Sequence, residues 1–402
     1  MRRPLVINVE NAIAAIRCGG LLILSHAAGT AKLVRAAEAI TAAGLAELTE
    51  LSGAPPGLAL TAQRAIALGA GERRQGVLLL PSVHAIDVAG LRSLVDPTAE
   101  PSYSLDHLAR FEAADATSCE AAAIRLATLA DLLPAALVAA VPLEVEDLAA
   151  FAGERGLPLV QAKEVFGYQA AVCLGLRPVI EARVPLAKAE DTRVVAFRSD
   201  RGGVEHFAIL IGQPRTDRPV LTRLHSECFT GDLLGSLRCD CGDQLLRAIE
   251  IMSKGKDGGV LLYLAQEGRG IGIVNKLRAY VLQDRGFDTV DANQQLGFRS
   301  DERSYRPAAE MLRQLGVSKV RLLTNNPDKV AALTHYGINV VQRVPLSLPP
   351  NAWNAGYLRT KALRAGHFFD PSGAVEAETG RADEPGADEC RTKLPRVREH
   401  RG

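Results

Sequence analysis

Residues 223–242 read Arg-Leu-His-Ser-Glu-Cys-Phe-Thr-Gly-Asp-Leu-Leu-Gly-Ser-Leu-Arg-Cys-Asp-Cys-Gly. Three cysteines in this stretch, Cys228, Cys239 and Cys241, follow a Cys-x10-Cys-x-Cys spacing. A structural zinc site is normally closed by four ligands, whereas a catalytic one keeps a position open for water. Because no fourth ligand is evident and charged residues surround the thiols, the stretch predicts a catalytic metal site. Two alternatives stay open: a structural zinc whose fourth ligand lies elsewhere, and three unrelated buried thiols.

The bulk composition excludes several classes of protein. A chain of 402 residues is long enough for two or three domains of roughly 100–200 residues each. A formal charge of +1 gives no field that would attract nucleic acid or an acidic membrane. Seven cysteines, four of them isolated, do not form a disulfide framework. With no signal peptide and no apolar run of about 18 residues, we expect a cytoplasmic protein without membrane or nucleic-acid partners.

Helix-like and strand-like segments alternate along the first half of the chain. Such alternation predicts an α/β or mixed α+β domain. The predicted strands are 21–24, 57–60 and 135–141, and the predicted helices are 33–48, 119–133 and 145–155.

The periodicity changes at a junction near residues 166–178. Beyond it we predict strands over 192–197, 206–211, 259–264 and 320–324, with helices after Gly242, after Gly272 and from Asp328. Asn326 is a plausible N-cap for the last helix, with Pro327 at its first position. The fold class is therefore α+β, with two mixed α/β domains at 1–170 and 176–370. The tail 371–402 has few large apolar residues and is expected to be disordered.

A glycine-rich segment, Gln-Glu-Gly-Arg-Gly-Ile-Gly at 266–272, follows a predicted strand and opens a predicted helix. Glycines let backbone N–H groups approach an anion, and a helix N-terminus favours negative charge. Arg269 adds a guanidinium suited to phosphate oxygens. The segment has neither the Walker nor the Rossmann spacing, and a plain strand–helix turn is the alternative.

Two further motifs carry candidate chemistry. Lys329, in the first turn of a helix, opposes the helix dipole unless an anion lies between them; a solvated surface lysine is the alternative. Asp301 and Arg303 are two residues apart and face the same side of an extended segment. They are either a base with an anion clamp or a surface ion pair. Together, the motifs indicate a metal hydrolase acting on a phosphorylated small molecule.

The C-terminal half, roughly residues 180–369, resembles GTP cyclohydrolase II, the enzyme that opens riboflavin biosynthesis. The resemblance runs through Arg-Leu-His-Ser-Glu-Cys, Ser-Leu-Arg-Cys-Asp-Cys-Gly, Gln-Glu-Gly-Arg, Asn-Lys-Leu-Arg-Ala-Tyr, Asp-Thr-Val-Asp-Ala-Asn, Gln-Leu-Gly-Phe, Asp-Glu-Arg and Leu-Leu-Thr-Asn-Asn-Pro. It implies one Zn²⁺ per subunit on Cys228, Cys239 and Cys241. The implied GTP contacts are Arg223, Leu224, His225, Ser226, Glu227, Gln244, Glu267, Gly268, Arg269, Thr289, Thr324 and Lys329.

The same resemblance implies the catalytic roles. Asp301 is the proton acceptor, Arg303 is described as a nucleophile toward phosphorus, and Tyr280 belongs to the active site. The implied reaction converts GTP to formate, pyrophosphate and a diaminopyrimidine ribosyl phosphate, with Mg²⁺ on the triphosphate, in a homodimer. Guanine C8 lies between two nitrogens and is electrophilic. Because a guanidinium stays protonated, Arg303 is better suited to clamping phosphate than to attacking it.

The N-terminal half resembles 3,4-dihydroxy-2-butanone 4-phosphate synthase through 11–24, 36–39 and 156–168. The family's acid-rich metal loop is replaced by Ser25-His26-Ala27-Ala28-Gly29-Thr30-Ala31-Lys32, and Glu38 is the only acid between Asn11 and Leu45. An expected His-Thr-Glu-Ala motif reads Ser-Cys-Glu-Ala at 118–121. Without carboxylates to hold Mg²⁺, we expect this half to be an inactive structural partner. A bifunctional enzyme and a non-catalytic GTP-binding regulator are the alternatives.

Overall fold

The computed structural model describes residues 3–27, 29–70, 75–103, 111–346, 348–349 and 351–354. The disorder predicted for the tail 371–402 lies outside these residues. Within the described part of the chain, every helix is too short or too polar to cross a bilayer.

The described chain contains two seven-stranded sheets and the helices that cover them. The strands are β1 Leu22–Ser25, β2 Ala31–Ala36, β3 Gly57–Thr61, β4 Val77–Leu80, β5 Glu112–Ala114, β6 Ala135–Ala140, β7 Leu159–Gln161, β8 Leu176–Arg183, β9 Thr192–Ser199, β10 His206–Ile211, β11 Val220–Ser226, β12 Gly259–Leu264, β13 Lys319–Leu323 and β14 Asn339–Val344. The helices are α1 Arg3–Arg17, α2 Ala42–Ser52, α3 Ala62–Ala67, α4 Val88–Val95, α5 Cys119–Leu129, α6 Leu148–Glu154, α7 Ala162–Leu174, α8 Cys241–Lys254, α9 Glu267–Gly270, α10 Ile273–Asp284, α11 Thr289–Gln295, α12 Arg306–Gln314 and α13 Pro327–His335. A short π-helix spans Phe229–Leu233.

The N-terminal sheet has the strand order β5-β4-β3-β6-β2-β1-β7. All neighbours in it are antiparallel except β1 and β7. Side chains alternate between its two faces: Ile23 enters one core, whereas Leu22 and Leu24 enter the core under α1, α5 and α7. Both faces are therefore buried.

One secondary-structure prediction is wrong. Residues 33–48 do not form one helix, because β2 occupies 31–36 and α2 begins only at Ala42. Leu33 and Val34 are both fully buried but enter opposite cores, which requires a strand. The Thr41 side chain then accepts a hydrogen bond from Gly44 N–H and caps α2. Short apolar runs do not distinguish strand from helix by periodicity alone.

The C-terminal sheet has the order β14-β13-β11-β12-β10-β9-β8. Its first four strands are parallel, and β10, β9 and β8 are antiparallel to their neighbours. The carboxyl ends of parallel strands meet at one edge, where ligands bind in open α/β sheets. Glu227–Cys228, Gln266–Arg269 and Thr324–Asn326 each follow one of these strands. The topology therefore gathers motifs that are about a hundred residues apart. The two sheets confirm the predicted fold class of two mixed α/β domains.

The two halves share a hydrophobic core. Ile271, Leu282 and Phe298 of the C-terminal half belong to the same buried cluster as Leu60 and Leu94 of the N-terminal half. α7 ends at Leu174 and β8 begins at Leu176, so the chain passes from one half to the other across Gly175.

Candidate active site

The three cysteine sulfurs of the C-terminal half converge. Cys228 follows β11 and precedes the π-helix, whereas Cys241 begins α8. Their Sγ atoms all lie within 4.8 Å of one another, with Cys228 and Cys239 3.7 Å apart. With Zn–S bonds of about 2.3 Å, tetrahedral geometry places neighbouring sulfurs about 3.8 Å apart. The spacing fits a metal held by three thiolates. Among the described residues, no fourth Cys, His, Asp or Glu joins the group.

The backbone around the sulfurs is shaped by a glycine. A Cβ atom on Gly231 would lie 2.8 Å from the Cys239 sulfur and 3.0 Å from that of Cys228. The Gly231 N–H also donates a hydrogen bond to the Cys228 sulfur, at 3.3 Å. These contacts, and the absence of room for a side chain, fit a loop built to enclose a metal.

A buried polar network supports the loop that carries the cysteines. The Asp232 carboxylate lies 3.0 Å from His225 Nε2, and it accepts hydrogen bonds from the Tyr263 hydroxyl and from Cys228 N–H. Burial lowers the pKa of His225, although Asp232 opposes that shift. The network fixes the His225 ring and the start of the cysteine loop together.

The predicted contact residues of β11 lie on opposite faces of the sheet, because side chains alternate along a strand. Arg223 and His225 face the cavity, and Arg223 donates to Gln244 Oε1 at 2.6 Å. Desolvation lowers the pKa of Arg223 to about 10. The Leu224 side chain instead lies in the core on the opposite face. Only its backbone is polar there, and its carbonyl accepts a hydrogen bond from Lys329 Nζ at 2.7 Å.

The glycine-rich segment does not open a long helix directly, as its position after a strand predicted. α9 is a single turn in which Gly268 and Arg269 both have a φ of 61°, and the longer helix α10 begins only at Ile273. A non-glycine residue in the left-handed region costs on the order of 1–3 kcal/mol, and such residues cluster at functional sites. The Arg269 carbonyl accepts a hydrogen bond from Glu302 N–H, and the Arg269 guanidinium donates to the Ser300 carbonyl. The strained turn therefore packs against the segment that carries Asp301 and Arg303.

Asp301 and Arg303 form a two-pronged ion pair. Arg303 Nε lies 2.9 Å from Asp301 Oδ1, and its Nη2 binds Oδ2. Burial opposes the charge of Asp301, but the guanidinium lowers the pKa of that carboxyl below its usual value. Arg303 lines the cavity and Asp301 does not. The pair is mostly buried rather than solvated, since the Asp301 side chain is 29% exposed and the Arg303 side chain 13% exposed.

One open cavity of about 1170 Å³, its mouth included, brings these residues together. Leu224 and Asp301 are the predicted site residues that do not line it. The predicted residues on its walls are Arg223, His225, Ser226, Glu227, Cys228, Cys239, Cys241, Gln244, Glu267, Gly268, Arg269, Tyr280, Thr289, Arg303, Thr324 and Lys329.

Comparison with known proteins agrees with this arrangement. A model of the family described as GTP cyclohydrolase II matches residues 177–345. The GTP cyclohydrolase-2 of Azospirillum brasilense is 51% identical over 362 residues, covering 90% of this chain and 94% of that protein. The chain belongs to the GTP cyclohydrolase II family.

Other relatives match one or both halves. The GTP cyclohydrolase-2 of Shigella dysenteriae serotype 1 is 52% identical over 196 residues, which are 48% of this chain and 98% of that protein. Riboflavin biosynthesis protein RibBA of Chlorobium phaeovibrioides is 45% identical over 257 residues, 62% of each chain. The match to a solved two-domain 3,4-dihydroxy-2-butanone 4-phosphate synthase from A. baumannii covers 85% of this chain and 99% of that one, at 19% identity and a TM-score of 0.35. The resemblance to GTP cyclohydrolase II is confirmed, and the RibBA match is longer than the region that the family model covers.

The cavity has lining residues that the sequence analysis did not predict. On α10, Lys276, Tyr280 and Gln283 all line the cavity, but only Tyr280 was predicted. Their spacing of four and three residues places them on one helical face. That spacing could have identified the other two once Tyr280 was chosen. The further unpredicted lining residues include Arg238, Asp240, Asn293, Asn325 and Asn326.

Lys276 links the cysteine loop to the glycine-rich turn. Its Nζ lies 3.0 Å from the Cys228 sulfur and 2.9 Å from Glu267 Oε1. The Glu267 carboxylate also accepts hydrogen bonds from Phe229 N–H and Gly268 N–H. Burial opposes the ammonium charge, but these partners raise the pKa of Lys276 above its ordinary value. Three thiolates that held a divalent cation would carry one net negative charge, which this ammonium would offset.

Replacing Lys276 by methionine is expected to reduce the rate of formate release from GTP about 10- to 100-fold, because partners of metal ligands typically contribute that much. The change removes a charge beside Cys228 and frees Glu267. Steady-state kinetics and metal content measure the effect. Lys254→Met is the matched control, since Lys254 is exposed and pairs with Glu250 on α8. Equal rates for the two variants would show that Lys276 has no role at the site.

Proposed function

We propose that the chain acts in riboflavin biosynthesis by hydrolysing GTP, at this cavity, to formate, pyrophosphate and a diaminopyrimidine ribosyl phosphate. The observation that supports it most is the convergence of three thiols with cationic and polar side chains in one cavity of a GTP cyclohydrolase II. Incubation with GTP tests it. A regulatory homologue would bind GTP and release no formate.

We infer that Cys228, Cys239 and Cys241 hold one Zn²⁺ per chain. Their spacing, their burial and the glycine beside them fit that ion, and thiolates are ligands that zinc favours. When bound, the ion would supply Lewis acidity and an activated water at neutral pH. The residues of the chain do the remaining work of orienting the nucleotide and moving protons.

The cationic side chains of the cavity suit a triphosphate. Arg223, Arg303 and Lys329 line the same space, and Arg269 adds a fourth positive charge on its strained turn. Guanidinium groups bind phosphate oxygens in pairs, whereas an ammonium acts as a point charge. We propose that Mg²⁺ accompanies the triphosphate, as it commonly does in nucleotide sites.

We propose that Asp301 accepts a proton and that Arg303 clamps phosphate. In the structure Arg303 engages both oxygens of Asp301, which weakens the carboxylate as a base. A phosphate that draws the guanidinium toward itself would free the carboxylate at the moment when a base is useful. Tyr280 supplies a neutral hydroxyl, since burial raises its pKa, and it lies 3.4 Å from Thr230 Oγ1.

We also propose that the N-terminal half lacks synthase activity. Glu38, the remaining acid of its first segment, is engaged by Arg278 and by Leu133 N–H. Glu120 lies 3.5 Å from Lys32, and both are mostly buried. Neither carboxylate is therefore available as a metal ligand without losing a partner. The Azospirillum relative, which matches along 90% of this chain, is named for the cyclohydrolase alone.

The full-length chain, given ribulose 5-phosphate and Mg²⁺, is expected to form no 3,4-dihydroxy-2-butanone 4-phosphate. The physical reason is the shortage of carboxylates that could hold the metal. Detection of that product by NMR, in amounts that grow with enzyme concentration, would establish a bifunctional enzyme instead.

We infer a cytoplasmic homodimer. The free thiols among the described residues fit a reducing compartment. The edge strand β8 leaves Val179 and Ile180 55% and 65% exposed, which a second copy could cover. Sedimentation at several concentrations measures the oligomeric state.

A further inference from the structure

The helix α10 has two functional faces. One face, with Lys276 and Tyr280, lines the catalytic cavity. The face that carries Arg278 and Leu282 packs against the N-terminal half instead. Whatever holds Arg278 and Leu282 therefore also sets the position of Tyr280.

Arg278 is held by two carboxylates of the N-terminal half. Its Nη2 lies 2.8 Å from Glu38 Oε1, its Nε lies 2.9 Å from Asp96 Oδ2, and Nη1 donates to Asn275 Oδ1. The three charged side chains are only 18–20% exposed. Removing one partner of an ion pair this buried destabilises a protein much more than removing one partner of a surface pair, because the remaining charge is left without compensation.

Both carboxylates are positioned in advance by their own half. The second oxygen of Glu38 accepts from Leu133 N–H at 2.6 Å, and Asp96 Oδ1 accepts from the backbone and hydroxyl of Thr98. These bonds orient the two acids for a guanidinium whether or not α10 is docked. Glu38 and Asp96 therefore form a preformed binding site for the Arg278 side chain, called the socket below, rather than a chance surface contact.

Other contacts extend the same docking along the cyclohydrolase half. The Asn275 amide donates to the Asp131 carbonyl, and Arg285 donates to the carbonyls of Pro97 and Thr98. Beyond α10, the Thr61 hydroxyl donates to the Gly297 carbonyl, just after α11. α11 begins at Thr289, another lining residue of the cavity. Two helices that line the cavity, α10 and α11, are thus held by hydrogen bonds to the N-terminal half.

We propose that the N-terminal half serves as a positioning scaffold for the cyclohydrolase site, with Arg278, Glu38 and Asp96 as its positioning residues. Glu38, the only acid between Asn11 and Leu45, has a docking role in this chain. The consequence for turnover depends on the proposed GTP hydrolysis, whereas the docking of α10 does not. The two can therefore be tested separately.

The test uses the full-length chain with Glu38 and Asp96 changed together to Gln and Asn, which keeps side-chain shape and removes both negative charges. Val34→Ala is the control: Val34 is fully buried in the core on the opposite face of the N-terminal sheet, so its loss weakens that half without touching the socket. Hydrogen exchange of α10 amides and the kinetics of formate release are measured for both variants, well below their unfolding temperatures.

In the double variant, α10 amides are expected to exchange faster, and kcat is expected to fall about 10- to 100-fold with metal content retained and a smaller change in KM. A small misplacement of catalytic groups can have an effect of that size. Val34→Ala is expected to lower the unfolding temperature and to leave α10 exchange and kcat unchanged. Unchanged α10 exchange in the double variant, or the same kcat loss in Val34→Ala, would overturn the proposal. A wild-type chain that releases no formate would count against the proposed function and leave the exchange result to decide the docking.

Discussion

Changing Cys239 to serine is expected to remove bound metal and formate release together. The Cys239 sulfur lies 3.7 Å from that of Cys228 in a group that, among the described residues, has three members. A serine hydroxyl is a far weaker ligand for zinc than a thiolate, and two thiolates cannot hold the ion in a defined geometry. Metal per chain, measured by elemental analysis, should fall from about one to near zero, with a loss of turnover too large to quantify by steady-state assay.

Cys18→Ser is the matched control for this change. Cys18 is exposed and lies in the N-terminal half, so the same chemical substitution should leave both metal content and turnover as in the wild type. A Cys239→Ser protein that keeps a full complement of metal would show that the ion is held elsewhere. Formate release by a metal-free protein would show that catalysis does not require the metal.

Changing Asp301 to asparagine is expected to reduce formate release by about 10²- to 10⁴-fold while zinc stays bound, since general base catalysis typically contributes that much. Asparagine keeps the shape of the side chain and one acceptor for Arg303, but it cannot take a proton at neutral pH. Asp301 binds Arg303 and is not a member of the cysteine group, so metal content separates a lost base from a lost ion. Formate is followed with a coupled dehydrogenase.

Asp217→Asn provides the comparison for Asp301. Asp217 also accepts two hydrogen bonds from an arginine two residues away, Arg215, but the two side chains are 58% and 55% exposed, and exposed ion pairs contribute little. Its rate should match that of the wild type. If Asp301→Asn also released formate at the wild-type rate, the carboxylate would not be the proton acceptor.

Features set by local rules could be predicted from the sequence. The strand 259–264 has the bounds that its apolar pattern predicts, and Asn326 caps α13 with Pro327 at its first position. The three cysteines converge because they flank a strand end and a helix start whose loop is short. The placement of three motifs at the carboxyl ends of parallel strands follows from topology, which local patterns indicate only indirectly.

Features set by distant contacts could not be predicted in this way. Leu33 and Val34 look helical until the cores on both sides of β2 are known. Lys276 gains its role from Cys228 and Glu267, which come from two other elements. The ion pair between Arg278 and Glu38 joins residues 240 positions apart, and no spacing rule reaches that far.

The most direct test supplies GTP to the purified full-length chain and follows formate, pyrophosphate and bound zinc in the same samples. The account predicts equal amounts of formate and pyrophosphate for each GTP consumed, in proportion to zinc content, with loss on chelation and recovery when zinc returns. X-ray absorption should show three sulfur ligands and one lighter, exchangeable ligand. Four fixed protein ligands around the metal, with GTP left intact, would contradict it.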